Sequence, residues 1–439
     1  MKPGARAYNV LMMRARWSLL WLLAVGCNES APPKPETRPP PAAAVAVAEV
    51  AADVTKAAPT THGELREVEG QRVLHVWGTP RQMGRAHGAL LRGEILDVID
   101  GYALDVLGPA TIDRVGMMFA VADVSARLRE EAEGIIEGMQ AAGGVHSEGL
   151  GRALVATDLL VLNAMTDLVA IGCSSVSAWG DAVADDARGD LVAVRNLDWD
   201  DAPALLRNQM LIVYAPSEPT RQPVVSVAFA GYIGCLSCMN EAGVTALFNM
   251  GYGDGAASLA TAATGFAPAN LLLRDVLEQR DVDGDGASKA DDVEAGLRQA
   301  QHAGSYLLHV LQPGSEAPAR ILEVEADGVV TRGPNADGPL GASMLAATNH
   351  LRGKDGRQAC RRYDRIEATA RKSRRRVDEA ALWSLGRRLR LDDVVHMMLV
   401  RPEDRSLRVW LRGPGESSSS RAAGVTHRWS DLLRVPSHP

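Results

Sequence analysis

The apolar pattern of this chain turns from helical to strand-like near residue 171, and that change limits what it can fold into. From Arg81 to Ala170 apolar residues recur at threes and fours. They do so in Ala89, Leu90, Ile95, Leu96, Val98 and Ile99, and again over 124–139, the spacing of helices with one buried face. Residues 156–170 read as a further helix, started by Thr157-Asp158. Beyond Gly172 the texture becomes short apolar runs bounded by turns. Residues 175–179, 191–197, 209–214, 224–229 and 244–249 read as strands. Helices are predicted over 269–279 and 292–303. A meander follows over 306–312, 320–325 and 328–332. Helices over 360–372 and 377–385, the second stopped by Gly386, precede a hairpin of 396–401 and 407–411. Helices, then antiparallel strands, then helices again make a layered α+β domain.

Ahead of this domain stand Arg6, Arg14 and Arg16, then the apolar stretch 17–25, too short to span a bilayer. Gly26-Cys27 closes it in the manner of a bacterial lipobox. This predicts a signal peptide over 1–26 and a lipid on Cys27, a membrane partner through that anchor, and a place in the cell envelope; an ordinary cleaved signal peptide is the other reading. Residues 27–62 are rich in Pro and Ala and read as a tether. Four further cysteines remain. Cys235 and Cys238 are read as small core residues or as a disulfide. The net charge of −7 speaks against a nucleic-acid partner, and the basic run Arg371, Lys372, Arg374, Arg375, Arg376 reads as a solvated helix face.

Polar residues inside the strand-like stretches are the candidates for chemistry. Gly172-Cys173-Ser174-Ser175 lies where helix gives way to sheet. Arg195-Asn196-Leu197-Asp198-Trp199 carries two charges on one strand, and charges inside a sheet need partners or a task. Asn249 ends a strand, Thr348-Asn349-His350 follows one, and Arg361-Arg362-Tyr363 opens a helix.

In this order these pieces resemble the acyl-coenzyme A:isopenicillin-N acyltransferase-like family of N-terminal-nucleophile (Ntn) hydrolases, with the related choloylglycine hydrolases and acid ceramidase. The resemblance covers residues 78–413. It includes Gly78-Thr79-Pro80, Gly84-Arg85-Ala86-His87-Gly88, 130–138, Asp158-Leu159-Leu160 through Asn163, and Asn240-Glu241-Ala242-Gly243. It implies a four-layer αββα sandwich that cuts itself between Gly172 and Cys173. The helical segment 63–172 would remain associated as a small chain with the catalytic domain 173–413, and 414–439 would be a loose tail. The logic suits the residues. A thiol needs a base, and a free α-amine titrating at roughly 7.7–8.0 supplies one once the preceding bond is cut. Gly172 would tolerate a strained backbone at the cut.

By resemblance Cys173 is the nucleophile and Asp198 holds the new α-ammonium. Arg195 lowers the thiol pKa and Asn349 serves the oxyanion. Arg362 falls thirteen residues after Asn349, as in acid ceramidase, and Asn249 is a second polar contact. His350 and His87 are read as structural. The substrate would be a small-molecule linear amide, with hydrolysis and acyl transfer both open, and no cofactor is needed for catalysis. A ceramidase-like lipid-amide hydrolase and a catalytically silent envelope lipoprotein are the rival readings. Ser174-Ser175 stands where the family often has Thr.

One insertion departs from the family. Asp281, Asp283 and Asp285 with Gly286 and Asp292 match a calcium loop over 281–292, with Ser288 where an apolar residue is usual. A structural calcium ion and a solvated acidic turn are the two readings.

Overall fold

The computed structural model describes residues 61–169, 171–184, 190–252, 265–336, 338–421 and 423–434. The predicted signal peptide, Cys27, all but the last two residues of the tether, Ala170 and the final five residues lie outside the described residues. The described residues belong to one unit, Ala58–Pro439.

Two sheets make the frame. The larger has nine strands in the order Gly63–Val68, Gln71–Gly78, Gln209–Pro216, Val224–Phe229, Ser237–Asn240, Thr245–Met250, Tyr306–Leu311, Ala319–Glu325 and Gly328–Arg332. The smaller has six: Met344–Ala347, Gly172–Ala178, Val192–Asp198, Val394–Arg401, Ser406–Leu411 and Val425–Arg428. Neighbours run antiparallel except Gln71–Gly78 beside Gln209–Pro216, which is parallel.

Alternation along each strand explains the layering. In the smaller sheet Ala193, Met398 and Val400 point inward. There they join Leu211, Val213, Val225, Val227 and Leu307 of the larger sheet in one core. Val192, Val194 and Met397 point the other way, under Tyr363, Ile366, Leu382 and Leu385 of the helices Arg361–Lys372 and Glu379–Leu389. Helices Pro80–Leu90, Ala126–Ala141, Ala269–Glu278 and Ala290–Gln299 pack with the larger sheet and with one another. The protein is therefore an α+β sandwich layered α, β, β, α.

Most predicted elements appear within a few residues of their expected ends. Three do not. Gly386 does not stop its helix, which runs Glu379–Leu389. A Cβ there would sit 2.6 Å from Val194 Cγ2 and 2.9 Å from Met397 Sδ, so glycine lets helix and sheet touch. The helix expected over 156–170 breaks into Ala156–Asn163 and Met165–Leu168, and its start is held by Asp158, whose carboxylate accepts from Val155 N at 2.9 Å. The tail after Gly413 is not loose throughout. Val425–Arg428 pairs with Ser406–Leu411, and Trp429 and Leu432 join the inter-sheet core.

The glycine motifs of the small segment pay off in packing. A Cβ on Gly88 would lie 2.0 Å from Ile135 O, and one on Gly138 would lie 2.1 Å from Arg85 O. Helices Pro80–Leu90 and Ala126–Ala141 thus touch backbone to backbone. Segment 63–172 is also pinned to the rest by buried polar contacts. His87 Nε2 accepts from Gly231 N at 3.0 Å, and Asn163 Oδ1 accepts from Ile233 N and Gly234 N at 2.7 and 2.8 Å. Arg274, fully buried, pairs with both Glu131 and Glu278.

Candidate active site

Cys173 is the second residue of the strand Gly172–Ala178, and strand register decides which way its neighbours face. Cys173 lies opposite Leu197 and Gly172 opposite Asp198. Since Val192 and Val194 lie under the helices while Ala193 faces the other sheet, Arg195 points between the sheets and Asp198 toward the helices. Cys173, in register with Leu197, shares the inter-sheet side with Arg195. The two charges of the Arg195–Asp198 strand therefore lie on opposite faces of the strand that carries Cys173.

Arg195, Asp198, Asn249, Asn349 and Cys173 are all fully buried. Arg362 enters from its helix and links three of the predicted residues. Its Nη1 donates to Cys173 O at 2.8 Å and to Asp198 Oδ2 at 3.1 Å, and its Nη2 donates to Asn349 Oδ1. Asp198 Oδ1 accepts from Leu391 N at 3.1 Å. Burial raises the Asp198 pKa while Arg362 pulls it back.

Asn349 is aimed differently from the expectation for an oxyanion donor. Its Oδ1 accepts from Cys173 N at 3.2 Å, the nitrogen that a cut before Cys173 would turn into an amine. Its Nδ2 donates to Ile171 O at 3.3 Å and Met250 O at 2.8 Å. Tyr252, unmarked in the sequence, donates its hydroxyl to the same Ile171 carbonyl at 2.9 Å, and Ile171 N approaches Met250 Sδ at 3.2 Å. Residues 171–172 thus lie strapped beside a thiol that has no exposed surface. Burial pushes the Cys173 thiol up, Arg195 pulls it down, and Asp198 pushes it up again.

Gly172 does not have the strained backbone expected of it, for it is absent from the positive-φ residues. Its reason is space. A Cβ would stand 2.8 Å from Leu391 Cδ1 and 3.2 Å from Asp198 Cβ. Asn249 is near but turned aside: its Nδ2 donates to Thr348 O at 3.0 Å, and its Oδ1 is buried with no partner recorded. His350 serves the second free thiol instead of the first. Burial pushes the Cys360 thiol up, but His350 and Thr348, whose Oγ1 accepts from Cys360 Sγ at 3.6 Å, bring its pKa down to about 6. Cys235 and Cys238 form a disulfide.

The acidic insertion is separate from this site. The carboxylates of Asp281, Asp283 and Asp285 are exposed and come within 4.8 Å of one another, and Gly286 takes a φ of 87° at the turn. Asp292 does not join them. It is spent on backbone, accepting from Val282 N at 2.6 Å and from Lys289 N at 2.7 Å, where it caps the helix Ala290–Gln299. Its Oδ1 also accepts from Asp283 N at 3.2 Å, so the carboxylate ties the loop's first residues to the start of the helix.

The chain matches no family model. The Dictyostelium discoideum protein dcd1B is 27% identical over 226 residues, 47% of this chain, and the chain spans 42% of that relative's length. Among solved structures, a Caenorhabditis elegans ortholog of N-acylethanolamine-hydrolyzing acid amidase aligns with a TM-score of 0.42 at 18% identity, over 58% of this chain and 99% of that one. Penicillin V acylase from Agrobacterium tumefaciens aligns at 0.35 and 11% identity, over 58% and 90%. A variant of conjugated bile acid hydrolase from Clostridium perfringens aligns at 0.33 and 10% identity, over 60% and 99%.

Proposed function

We propose that this chain is the uncut precursor of an Ntn amide hydrolase or acyltransferase with Cys173 as nucleophile. The observation that carries the reading is the grip on the Gly172–Cys173 junction. Asn349 and Arg362 hold the nitrogen and carbonyl of Cys173, Asp198 is locked beside it, and Arg195 backs the thiol. Attack of the thiolate on the Gly172 carbonyl would shift the acyl group from nitrogen to sulfur. Water would then release the thioester and leave Cys173 with a free α-amine. That amine becomes the base for the next thiol attack, on the carbonyl of a linear amide. Departure of residues 171–172 would free Asn349 Nδ2 from the Ile171 carbonyl, making it available to a tetrahedral oxygen. The contacts of His87, Asn163 and Glu131 with the larger segment would keep both chains together.

The N-terminal pattern supports a place in the cell envelope on a lipidated Cys27, and small-molecule linear amides are the substrates that suit the proposed chemistry. N-terminal sequencing and intact mass of the purified protein test both ideas at once. The heavy chain should begin Cys-Ser-Ser-Val, and the light chain should carry the mass of a lipidated cysteine. Cys173→Ala should stay in one piece. A wild-type protein that turns over amides while uncut would end the Ntn reading, and an unmodified light-chain terminus would leave only an ordinary signal peptide.

A further inference from the structure

Arg195 has five N–H donors, and their destinations can be counted. Nε donates to Ser237 Oγ. Both Nη2 protons go to carbonyls, Leu236 O at 3.1 Å and Phe248 O at 2.8 Å. One Nη1 proton goes to Asn196 O at 2.8 Å. Every one of these acceptors is neutral, so no carboxylate among them cancels the guanidinium charge. One Nη1 proton remains, and Arg195 shares the inter-sheet side with Cys173, whose thiol its charge pulls down.

The Nε contact differs from the others because it ends on a side chain. Ser237 Oγ accepts from Arg195 and keeps one proton of its own. Its other side-chain neighbour is His396 Nε2 at 3.0 Å. Ser237 is 1% exposed and His396 is 1% exposed, so water does not compete. Burial and the Arg195 charge keep the imidazole neutral. In the tautomer with Nδ1 protonated, the Ser237 proton goes to a bare Nε2 and the hydroxyl lone pairs turn toward Arg195. Ser237 comes from the larger sheet, while His396 and Arg195 lie on adjacent strands of the smaller one. Its backbone is held on both sides, because Cys235 and Cys238 are bridged around it.

We infer that Ser237 and His396 are positioning residues for Arg195, holding its guanidinium in the one orientation that aims a donor at the Cys173 sulfur. This rests on the reading of Cys173 as the nucleophile. Without the Ser237 acceptor the buried Nε–H has no partner, and the guanidinium must turn to find one. With a charged His396 the hydroxyl would turn its proton toward Arg195 and repel it.

The test is the pH dependence of Cys173 alkylation by iodoacetamide in the purified, self-cleaved protein. The Cys173 peptide is followed by mass spectrometry so that Cys360 does not contribute. Wild type should react with an apparent thiol pKa below that of a free cysteine, roughly 8.5. Ser237→Ala and His396→Leu should raise it by a unit or more, slowing reaction at pH 6 by about tenfold, since each unit is a factor of ten in thiolate. Ser237→Thr and His396→Gln, which keep a hydroxyl and a neutral acceptor, should restore the wild-type profile. A purely structural role would lower the melting temperature and leave the profile in place, and that result overturns the inference. Should Ser237→Ala not fold, the Thr variant and both His396 variants carry the same comparison. A wild-type Cys173 that titrates like a free thiol would remove the nucleophile reading along with this one. A depressed wild-type pKa with unmoved variants would remove only Ser237 and His396.

Discussion

At the scale of single residues, Arg362 is the side chain on which most of the site depends. It is 14% exposed and pairs with an Asp198 that has no exposed surface. Arg362→Ala would leave that carboxylate buried and uncompensated, a change that typically costs about 3–5 kcal/mol. We expect a clear drop in melting temperature and slow cleavage before Cys173, read by calorimetry and a gel time course. Asn349→Ala should fold well yet lose roughly 10²–10³ in turnover, as removal of an oxyanion donor does. Near-normal turnover in that variant would reject the role.

These residues were legible because charge and amide groups inside apolar strands stand out. Ser237, Tyr252 and His396 were not, because hydroxyls and neutral rings are ordinary in buried strands and their meaning lies in a partner on another sheet. Tyr252 follows Asn249 by three residues, which is the one clue the chain offered.

Among the elements, the strands and most helices were readable from period alone, since each buries one or both faces in a fixed layer. What period could not reveal is close approach. Gly386, read as a stop, is a contact point under Val194 and Met397. The paired glycines at 84, 88, 134 and 138 recur four apart on one face of each helix, but that spacing does not say that the two backbones meet there.

The acidic turn invites a test at this scale. Asp281 Oδ1 accepts from Gly284 N at 2.6 Å and Asp283 Oδ1 from Asp285 N at 3.1 Å, so the loop is already folded around its carboxylates. Lys289 pairs with Asp285 and is the cation present. If calcium binds, millimolar calcium should raise the melting temperature by mass action and a chelator should lower it, with cleavage at Cys173 intact. Asp283→Asn together with Asp285→Asn should abolish the difference. A melt indifferent to both additions leaves a solvated turn with Lys289 as its counter-charge.

For the whole molecule, buried ionisable groups make stability depend on pH. His87 and His309 titrate at about 3, and His75 and His427 at about 4, all lowered chiefly by burial. The unfolded chain takes up these protons below about 6.5, so stability falls as pH drops from there toward 3–4. Glu131, Asp167 and Asp393 behave oppositely. Burial raises each to about 7, so the folded state keeps protons that the unfolded state has shed, and that stability is lost as pH rises through 7. The four histidines outnumber the three acids on the acid side. From about pH 4 to 6.5 these seven groups leave a net gain of stability, so the melting temperature should climb across that window. His309→Gln should flatten the acid limb even though it loses hydrogen bonds to Ser175 and Ser177. An acid limb of unchanged slope would show that His309 takes no part.

The grip on the Gly172–Cys173 bond draws on residues 195, 198, 349 and 362, and the last two leave the ribosome long after residue 173. Under the proposed chemistry the bond has its helpers only once the last third of the chain has been made and both sheets have closed. Self-cutting then acts as a quality stamp. A stalled or misassembled translation product would carry an unbroken backbone, and the ratio of two bands to one on a gel would count finished molecules.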